Sequence, residues 1–343
     1  MDQSSKPLVS VVTPAYNGEK FLRECIDSVL AQTHQNFEYI ILNNASTDAT
    51  LDIAEEYSRR DSRVRVFSND RLLPIIANHN KAFGLMSADS KYCKVVSADD
   101  WIYPECLEKM VGLAETYPSA GIIGAYQLSG GNDIWYVRNV GLPYSQSIVA
   151  GHDICRAHLL GMQRVLGNPT SVLYRADLIR ENPEFFPNAT QEADISACLQ
   201  HLRHSDFGFV HQILAHERIH HNRATTLSLQ TNAYVSAEIS DCQKYGDFYL
   251  SRIEKKERIE ELLDQYYDYL SVSAFKLKDK TFWNYHITRL QDLGYQLDRV
   301  KLATGISKKL VDLALNPKIT AKMIVNRIHS YSTLKKIPIY PEN

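Results

Sequence analysis

The chain has 343 residues, 44% of them apolar and 23% charged, a composition that provides for a buried core and excludes a largely disordered protein. Its formal net charge of −2 excludes a strongly basic nucleic-acid-binding protein, so we expect no nucleic-acid partner. No apolar run approaches the roughly 18 residues of a membrane-spanning helix, the N-terminus lacks a signal-peptide pattern, and the six cysteines show no CxxC spacing. A cytoplasmic protein is therefore expected.

Short β-branched strands alternate with amphipathic helices through the first hundred residues. Strands are predicted over 8–13, 37–42, 64–67 and 92–96, and helices over 21–30, from about 46 to 57, and over 75–88. This alternation predicts an α/β fold with a mostly parallel sheet flanked by helices. Ligands bind beyond the carboxyl ends of such strands, which here means residues 13–17, 43–48 and 97–100.

The second part of the pattern is more irregular and ends in long helices. Helices are predicted over 104–117, 148–162 and 194–202, and strands over 121–126, 134–137, 171–174 and 207–213. From about residue 230 the apolar residues recur at helical spacing in a polar background. We therefore predict an α/β domain over 1–225 and a helical extension over 230–343.

The C-terminal region is basic, whereas the rest of the chain is acidic. Residues 301–343 hold eight Lys or Arg and two Asp or Glu, a balance of +6, which leaves −8 for residues 1–300. Four interpretations stay open: a solvated helical face, a cover for an acceptor groove, a homodimer contact, or peripheral contact with the anionic inner face of a membrane.

Four sequence motifs occur in a fixed order along the chain: PLVSVVTPAYNGEKFLRECIDSVLAQTHQNFEYIILNNASTDAT, KVVSADDWIYPECL, QEADISACL and RIHHNRATT. Over about residues 6–225 this series resembles the family-2 glycosyltransferases, which have the Rossmann-like GT-A fold. The resemblance implies transfer of a sugar from a UDP-, dTDP- or GDP-sugar donor to a saccharide, glycolipid or protein acceptor. It also implies a divalent metal cofactor, Mn²⁺ or Mg²⁺, and a role in surface polysaccharide or glycoconjugate synthesis.

The resemblance places nucleotide-binding residues at the ends of the first strands. The positions carried over are Thr13, Ala15, Tyr16, Glu19, Asn43, Asn44, Asn80, Ala98 and Asp99. Where the family has two acids after the second strand, this chain has Asn43 and Asn44, and an amide both donates and accepts hydrogen bonds. The base is therefore left open, and so is the alternative that Tyr16 and Asn17 only shape a turn.

The resemblance also implies a metal site at Asp99 and His220. Ser97 replaces the first acid of the usual motif, but Mg²⁺ can bind through one carboxylate together with substrate phosphates and water. Asp100 is either a second metal ligand or a helix cap, and His221 is the alternative to His220 as the metal-ligating histidine. Arg218 is positioned in the motif to neutralise phosphate.

Asp194 is the general base implied by the resemblance. It would take the proton from the acceptor hydroxyl as that hydroxyl attacks the sugar, a single displacement with inversion. Glu192 is the second candidate for this role. A plain helix N-cap is the alternative interpretation of Asp194.

Two other functions are alternatives to this enzyme. Ser97, Asn43 and Asn44 keep open a catalytically degenerate protein that binds nucleotide sugars without turnover. A nucleotidyltransferase is disfavoured because residues 13–19 form no glycine-rich basic loop. The chain also lacks the dinucleotide-binding and P-loop glycine motifs after its first strand, and the serine-hydrolase GxSxG motif.

Overall fold

The computed structural model describes residues 6–131, 134–138, 141–163, 165–187, 193–220, 233–275 and 280–315. The strands in these ranges are β1 Val9–Ala15, β2 Phe37–Asn43, β3 Val64–Ser68, β4 Tyr92–Val95, β5 Trp101–Ile102, β6 Ala120–Gly131, β7 Ile134–Arg138, β8 Ile148–Val149, β9 Val172–Arg175 and β10 Asp206–Arg218. The helices are α1 Leu22–Leu30, α2 Thr50–Arg60, α3 Ile75–Phe83, α4 Cys106–Thr116, α5 Gly151–Leu159, α6 Ala176–Arg180, α7 Ala193–His201, α8 Ala233–Tyr249, α9 Arg252–Ala274, α10 Lys280–Asp292 and α11 Arg299–Leu315.

All ten strands belong to one sheet, in the order β3-β2-β1-β4-β9-β6-β10-β5, with β7 on β6 and β8 on β10. The first four strands are mutually parallel. Antiparallel β9 joins this half to the parallel pair β6 and β10. The predicted α/β fold with flanking and C-terminal helices is confirmed.

The core forms where the apolar strand faces meet the amphipathic helices. Val9 and Val11 of β1 pack with Ile26 and Val29 of α1, and all four side chains are buried. β-Branched residues suit a strand covered on both faces, and the spacing of the α1 residues gives that helix one apolar side. This packing fixes the parallel strands and therefore the edge at which they end.

Some local predictions were wrong or incomplete. Residues 148–162 do not begin as a helix, because Ile148 and Val149 pair with β10 before α5 starts. Helix α3 ends at Phe83 rather than at residue 88. The two-residue strand β5 was not predicted; it pairs with β10.

The chain divides into two compact units, Met1–Arg258 and Ile259–Asn343. Helix α8 belongs to the first unit, where Ser196 of α7 donates a 2.6 Å hydrogen bond to Asp241 of α8. In the second unit, the Tyr266 hydroxyl lies 2.6 Å from the His286 ring. The functional division at residues 225–230 stays a prediction.

Two global features of the chain concern its helices and its cysteines. None of the helices in the described part of the chain is long and apolar enough to cross a bilayer. All six cysteines are buried and unpaired. They therefore act as small apolar side chains of the core.

Candidate functional site

The carboxyl ends of β1, β2 and β4 meet at one edge of the sheet. Ala15 and Asn43 are in register, and the Asn44 amide continues the ladder with a 2.8 Å bond to the Ala15 carbonyl. On the other side of β1, the Val96 amide donates to the Val12 carbonyl at 3.0 Å. The three segments that the sequence singled out therefore lie side by side.

The loop after β1 is held by the start of α2. The Asn17 side chain, on a residue with a φ of 48°, accepts a bond from the Thr47 amide at 2.9 Å. Asp48 accepts from the Glu19 amide at 3.1 Å, and the Glu19 side chain accepts from the Ala49 amide at 3.0 Å. These bonds fasten the loop to the segment just before α2.

Tyr16 and Thr13, both predicted in the donor site, have opposite environments. The Tyr16 side chain is 49% exposed and free to meet a ligand. Thr13 is fully buried, and its hydroxyl donates to the Val96 carbonyl at 2.8 Å. The Thr13 side chain therefore ties β1 to the end of β4.

The two asparagines at the end of β2, Asn43 and Asn44, are buried and hydrogen-bonded within the protein. Asn44 accepts from the Leu73 amide and from Asn69, at 2.9 and 2.8 Å, and its Nδ2 donates to the Leu73 carbonyl at 2.9 Å. Asn43 donates to Ser68 at 2.9 Å and accepts from the Ser46 amide at 3.2 Å. These amides fasten the loop after β3 to the edge of the sheet.

Asn80, another predicted donor-site residue, holds a distant segment. Its Oδ1 accepts from the Phe186 amide at 3.0 Å and its Nδ2 donates to the Phe186 carbonyl at 3.1 Å. Phe186 in turn packs edge-on against Phe83, with ring centroids 5.2 Å apart. The Asn80 amide is thus engaged by the backbone of the protein.

The acidic turn after β4 brings Asp99 and His220 together. The Asp99 Oδ2 lies 2.9 Å from the His220 Nε2, and the Asp99 side chain remains 32% exposed. The His220 ring also rests against Phe21, with centroids 5.0 Å apart. These two predicted metal ligands therefore share one accessible point at the sheet edge.

Asp100 faces inward and is bound by the protein. Its two oxygens accept from the Thr170 hydroxyl at 2.7 Å and from the Arg218 amide at 3.0 Å. Burial, reinforced by the adjacent Asp99 carboxylate, raises the pKa of Asp100 well above its usual value. Asp100 thus anchors the turn from which Asp99 projects.

Arg218 braces the same turn from β10. Its Nε donates to the Asp99 carbonyl at 3.1 Å, and its guanidinium lies 4.4 Å from the Phe21 ring and 4.7 Å from the Trp101 ring. A second guanidinium nitrogen forms an ion pair with Glu24. Its positive charge therefore has a protein partner beside the point where Asp99 and His220 meet.

Asp194 is oriented by a turn that also reaches the acidic motif. Its Oδ2 accepts from the Asn168 amide at 2.7 Å and its Oδ1 from the Ile195 amide at 3.0 Å. Two residues after Asn168, the Thr170 hydroxyl bonds to Asp100. One short turn thus connects the predicted base to the predicted metal-binding turn. Glu192 and His221 lie outside the described residues.

The sequence analysis did not predict this connecting turn. Gly167 and Asn168 have φ values of 103° and 46°, a left-handed pair just before Pro169. Gly-Asn-Pro is a recognisable turn signal, but nothing local indicates which groups the turn contacts. The fully buried Lys94 ammonium supports it by donating to the carbonyls of Thr170 and Val172. Burial lowers the pKa of Lys94.

Few side chains at the sheet edge could bind a metal ion. Among the described residues, no group of three or more His, Cys, Asp or Glu side chains is arranged to hold a metal ion. Asp99 and His220 supply one oxygen and one nitrogen at the same point. A cation there would need further ligands from substrate and water.

Comparison with known sequences identifies the first part of the chain. Residues 10–158 match the model of the family described as glycosyl transferase family 2. An uncharacterized glycosyltransferase of Haemophilus influenzae is 33% identical over 195 residues, which cover 52% of this chain and 55% of that protein. The chain thus spans about half the length of this relative.

Two solved structures share the fold at low sequence identity. Staphylococcus aureus TarS 1–349, in complex with UDP-GlcNAc, has a TM-score of 0.60 and 18% identity, covering 83% of this chain and 80% of that one. The mannosyltransferase PcManGT of Pyrobaculum calidifontis, in complex with GDP-Man and Mn²⁺, has a TM-score of 0.53 and 11% identity, covering 92% and 88%. The likeness confirms the predicted GT-A fold.

Proposed function

We propose that the protein moves a sugar from a nucleotide-sugar donor to an acceptor hydroxyl, because residues 10–158 match the model of glycosyl transferase family 2. The observation that carries the proposal is the pairing of Asp99 with His220 at 2.9 Å. It lies just beyond β4, where open α/β sheets bind their ligands.

The donor nucleoside would lie beyond β1 and β2. Tyr16, whose ring is half exposed, is the group best placed to lie against a base. Asn43, Asn44 and Asn80 are engaged in hydrogen bonds within the protein, so their part would be to shape the site. One structural neighbour binds UDP-GlcNAc and another binds GDP-Man, which supports a UDP- or GDP-sugar donor and keeps dTDP open.

The residues at the sheet edge fit a hard divalent cation. Asp99 and His220 offer an anionic oxygen and an imidazole nitrogen, and Mg²⁺ and Mn²⁺ accept such sites when phosphate and water complete the shell. A bound Mn²⁺ or Mg²⁺ would neutralise charge on the departing diphosphate. The Mn²⁺ bound by PcManGT supports this assignment.

Asp194 would act on the acceptor. Two backbone amides donate to its carboxylate and fix its orientation, and this carboxylate would accept the proton of the acceptor hydroxyl. As that proton moves to Asp194, the acceptor oxygen forms a bond to the sugar C1 and the bond from C1 to the diphosphate oxygen breaks. The nucleoside diphosphate leaves from the opposite face, so the configuration at C1 inverts.

A second candidate function is a nucleotide-sugar-binding protein without turnover. It is favoured by Ser97, which stands where the family has its first acid and whose amide donates to the Thr170 hydroxyl at 3.2 Å. This site would bind the donor but would have one carboxylate fewer than the family beside the diphosphate. The two candidates differ in turnover and not in binding.

Release of nucleoside diphosphate from a panel of UDP-, dTDP- and GDP-sugars, with added saccharide acceptors and Mn²⁺, separates these candidates. We expect turnover with one donor, loss of activity with EDTA, and at least a hundredfold lower kcat for Asp194→Asn. Glu184→Gln is a control, since Glu184 is an exposed acid in the same unit. Metal-dependent binding without turnover would favour the binding protein, and retention of activity in Asp194→Asn would contradict the role of Asp194 as the base.

We further propose peripheral membrane contact through α11. Its outward side chains Val300, Leu310, Val311 and Leu315 are exposed, and Lys308 is exposed beside them. An amphipathic basic helix of this kind binds anionic lipid surfaces. Stronger sedimentation with anionic than with neutral liposomes, reduced by Lys308→Glu, is expected. Equal sedimentation would contradict membrane contact, and a concentration-dependent dimer lost in Val311→Asp would favour a homodimer contact instead.

A further inference from the structure

Three aromatic rings form a cluster, the aromatic stack, beside the acidic turn. It consists of Trp101 on β5, His216 on β10 and Trp135 on β7. The Trp101 and His216 rings are nearly parallel, with centroids 3.5 Å apart and planes 9° apart. The Trp135 ring contacts the His216 ring at an interplanar angle of 55°, with centroids 4.4 Å apart. Trp101 and His216 are direct cross-strand partners.

The aromatic stack lies on the sheet face opposite the main core. The next pair along β5 and β10, Ile102 with Ala215, is buried in the hydrophobic core, and side chains alternate between faces along a strand. His216 is fully buried, whereas the Trp135 side chain is 51% exposed. An indole fixed from beneath and open to solvent is a ready surface for a ligand ring.

The position of the aromatic stack relates it to the chemistry of the site. Trp101 directly follows Asp100, and the Arg218 guanidinium lies 4.7 Å from the Trp101 ring while its Nε bonds to the Asp99 carbonyl. In the sheet order, β10 and β5 lie on the opposite side of β4 from β1 and β2. The nucleoside is expected at β1 and β2, so the ligand at the aromatic stack would be the acceptor.

The chemistry of the aromatic stack favours a neutral ring. Burial lowers the pKa of His216 to about 4, so the imidazole is uncharged at neutral pH. Among the described residues, neither ring nitrogen of His216 has a hydrogen-bond partner. The C–H face of a pyranose ring is apolar and flat enough to lie on an indole, and its hydroxyls can stay in water.

We propose that Trp135, backed by His216 and Trp101, stacks against a pyranose ring of the acceptor and thereby selects a saccharide acceptor. This inference rests on the proposed glycosyltransferase activity. It adds to that activity a binding residue on β7, distant in sequence from every motif residue. It also predicts that the acceptor is a saccharide or a saccharide-bearing lipid rather than a protein side chain alone.

The test combines kinetics with direct binding in the full chain. We expect Trp135→Ala to raise the acceptor KM about tenfold or more, leaving the donor KM and donor hydrolysis unchanged, and Trp135→Phe to restore most of the affinity. Tyr144→Ala is the matched control, since Tyr144 is 89% exposed and its ring lies 5.5 Å from His211 of the same strand β10. Equal thermal midpoints check that each variant folds.

Binding to immobilised neutral oligosaccharides of hexoses and N-acetylhexosamines distinguishes failure of this inference from failure of the proposed function. Saccharide binding that is lost in Trp135→Ala and kept in Tyr144→Ala supports the aromatic stack even where no donor is turned over. An unchanged acceptor KM and unchanged saccharide binding in Trp135→Ala would overturn the inference. A rise in donor KM instead of acceptor KM, or a wild type that binds no saccharide, would overturn it as well.

Discussion

Replacing Thr170 with valine removes one buried hydroxyl and keeps the shape of the side chain. Thr170 is fully buried; its hydroxyl donates to Asp100 at 2.7 Å and accepts from the Ser97 amide at 3.2 Å. Valine leaves a carboxyl oxygen and an amide without these partners. Each such loss costs about 1–3 kcal/mol, so we expect the two together to lower the free energy of unfolding of Thr170→Val by about 2–6 kcal/mol.

Urea unfolding of wild type, Thr170→Val and Thr170→Ser measures this loss. Serine keeps the hydroxyl and removes one methyl group, which should cost only about 1 kcal/mol. Because the hydroxyl holds the turn that carries Asp99, Thr170→Val should also weaken metal-dependent nucleotide binding. If Thr170→Val were as stable as Thr170→Ser, the hydroxyl would not anchor the acidic turn and the reasoning would be refuted.

Three further predictions concern other parts of the first unit. Asn44→Asp should lower the free energy of unfolding by about 1–3 kcal/mol, because a carboxylate cannot donate the 2.9 Å hydrogen bond to the Leu73 carbonyl. Equal urea midpoints for wild type and variant would refute this. Ala45→Gly should raise the free energy of unfolding by about 1 kcal/mol, because Ala45 has a left-handed φ of 54°, which glycine adopts without strain. A lower melting temperature than that of the wild type would contradict this. Burial raises the pKa of Asp241 to about 7 from 3.8, so the native state holds the extra proton between these pH values. The stability that Asp241 contributes is therefore complete below about pH 4 and is lost as the pH rises through 7. Urea unfolding at a series of pH values should show this decline in the wild type and a flatter one in Asp241→Asn.

The first half of the fold could be predicted from local pattern. The strands β1, β2, β3 and β4 are short apolar runs between turn signals, and their predicted limits lie within two residues of the observed ones. Two-residue strands carry no such pattern. Ile148 and Val149 pair with β10 because the fold brings them beside that strand. Their apolar side chains continue the helical spacing of the following segment, so the sequence predicted a helix there instead.

The contents of the site were only partly predictable. The sequence indicates which loops lie at the sheet edge, and Asp99 and His220, 121 positions apart, do meet there. It could not indicate that Thr13 and Asn80 are bonded to backbone groups 83 and 106 positions away. Such long-range hydrogen bonds depend on tertiary packing. For the same reason the contacts of the turn at Asn168 and Thr170 were missed.

The central claim is that Asp99 and His220 hold the metal and diphosphate of a nucleotide-sugar donor. It is tested most directly by thermal shift with UDP, dTDP and GDP, with and without Mn²⁺, on wild type, Asp99→Asn and Asp89→Asn. Asp89 is exposed and lies before the amino end of the same strand β4, which makes it a matched control.

We predict a Mn²⁺-dependent rise in melting temperature with one nucleotide, present in wild type and Asp89→Asn and absent in Asp99→Asn. Nucleotide at a hundred times its dissociation constant should add about 2.7 kcal/mol of stability. A shift of equal size in all three proteins, or no shift with any nucleotide, would contradict the account.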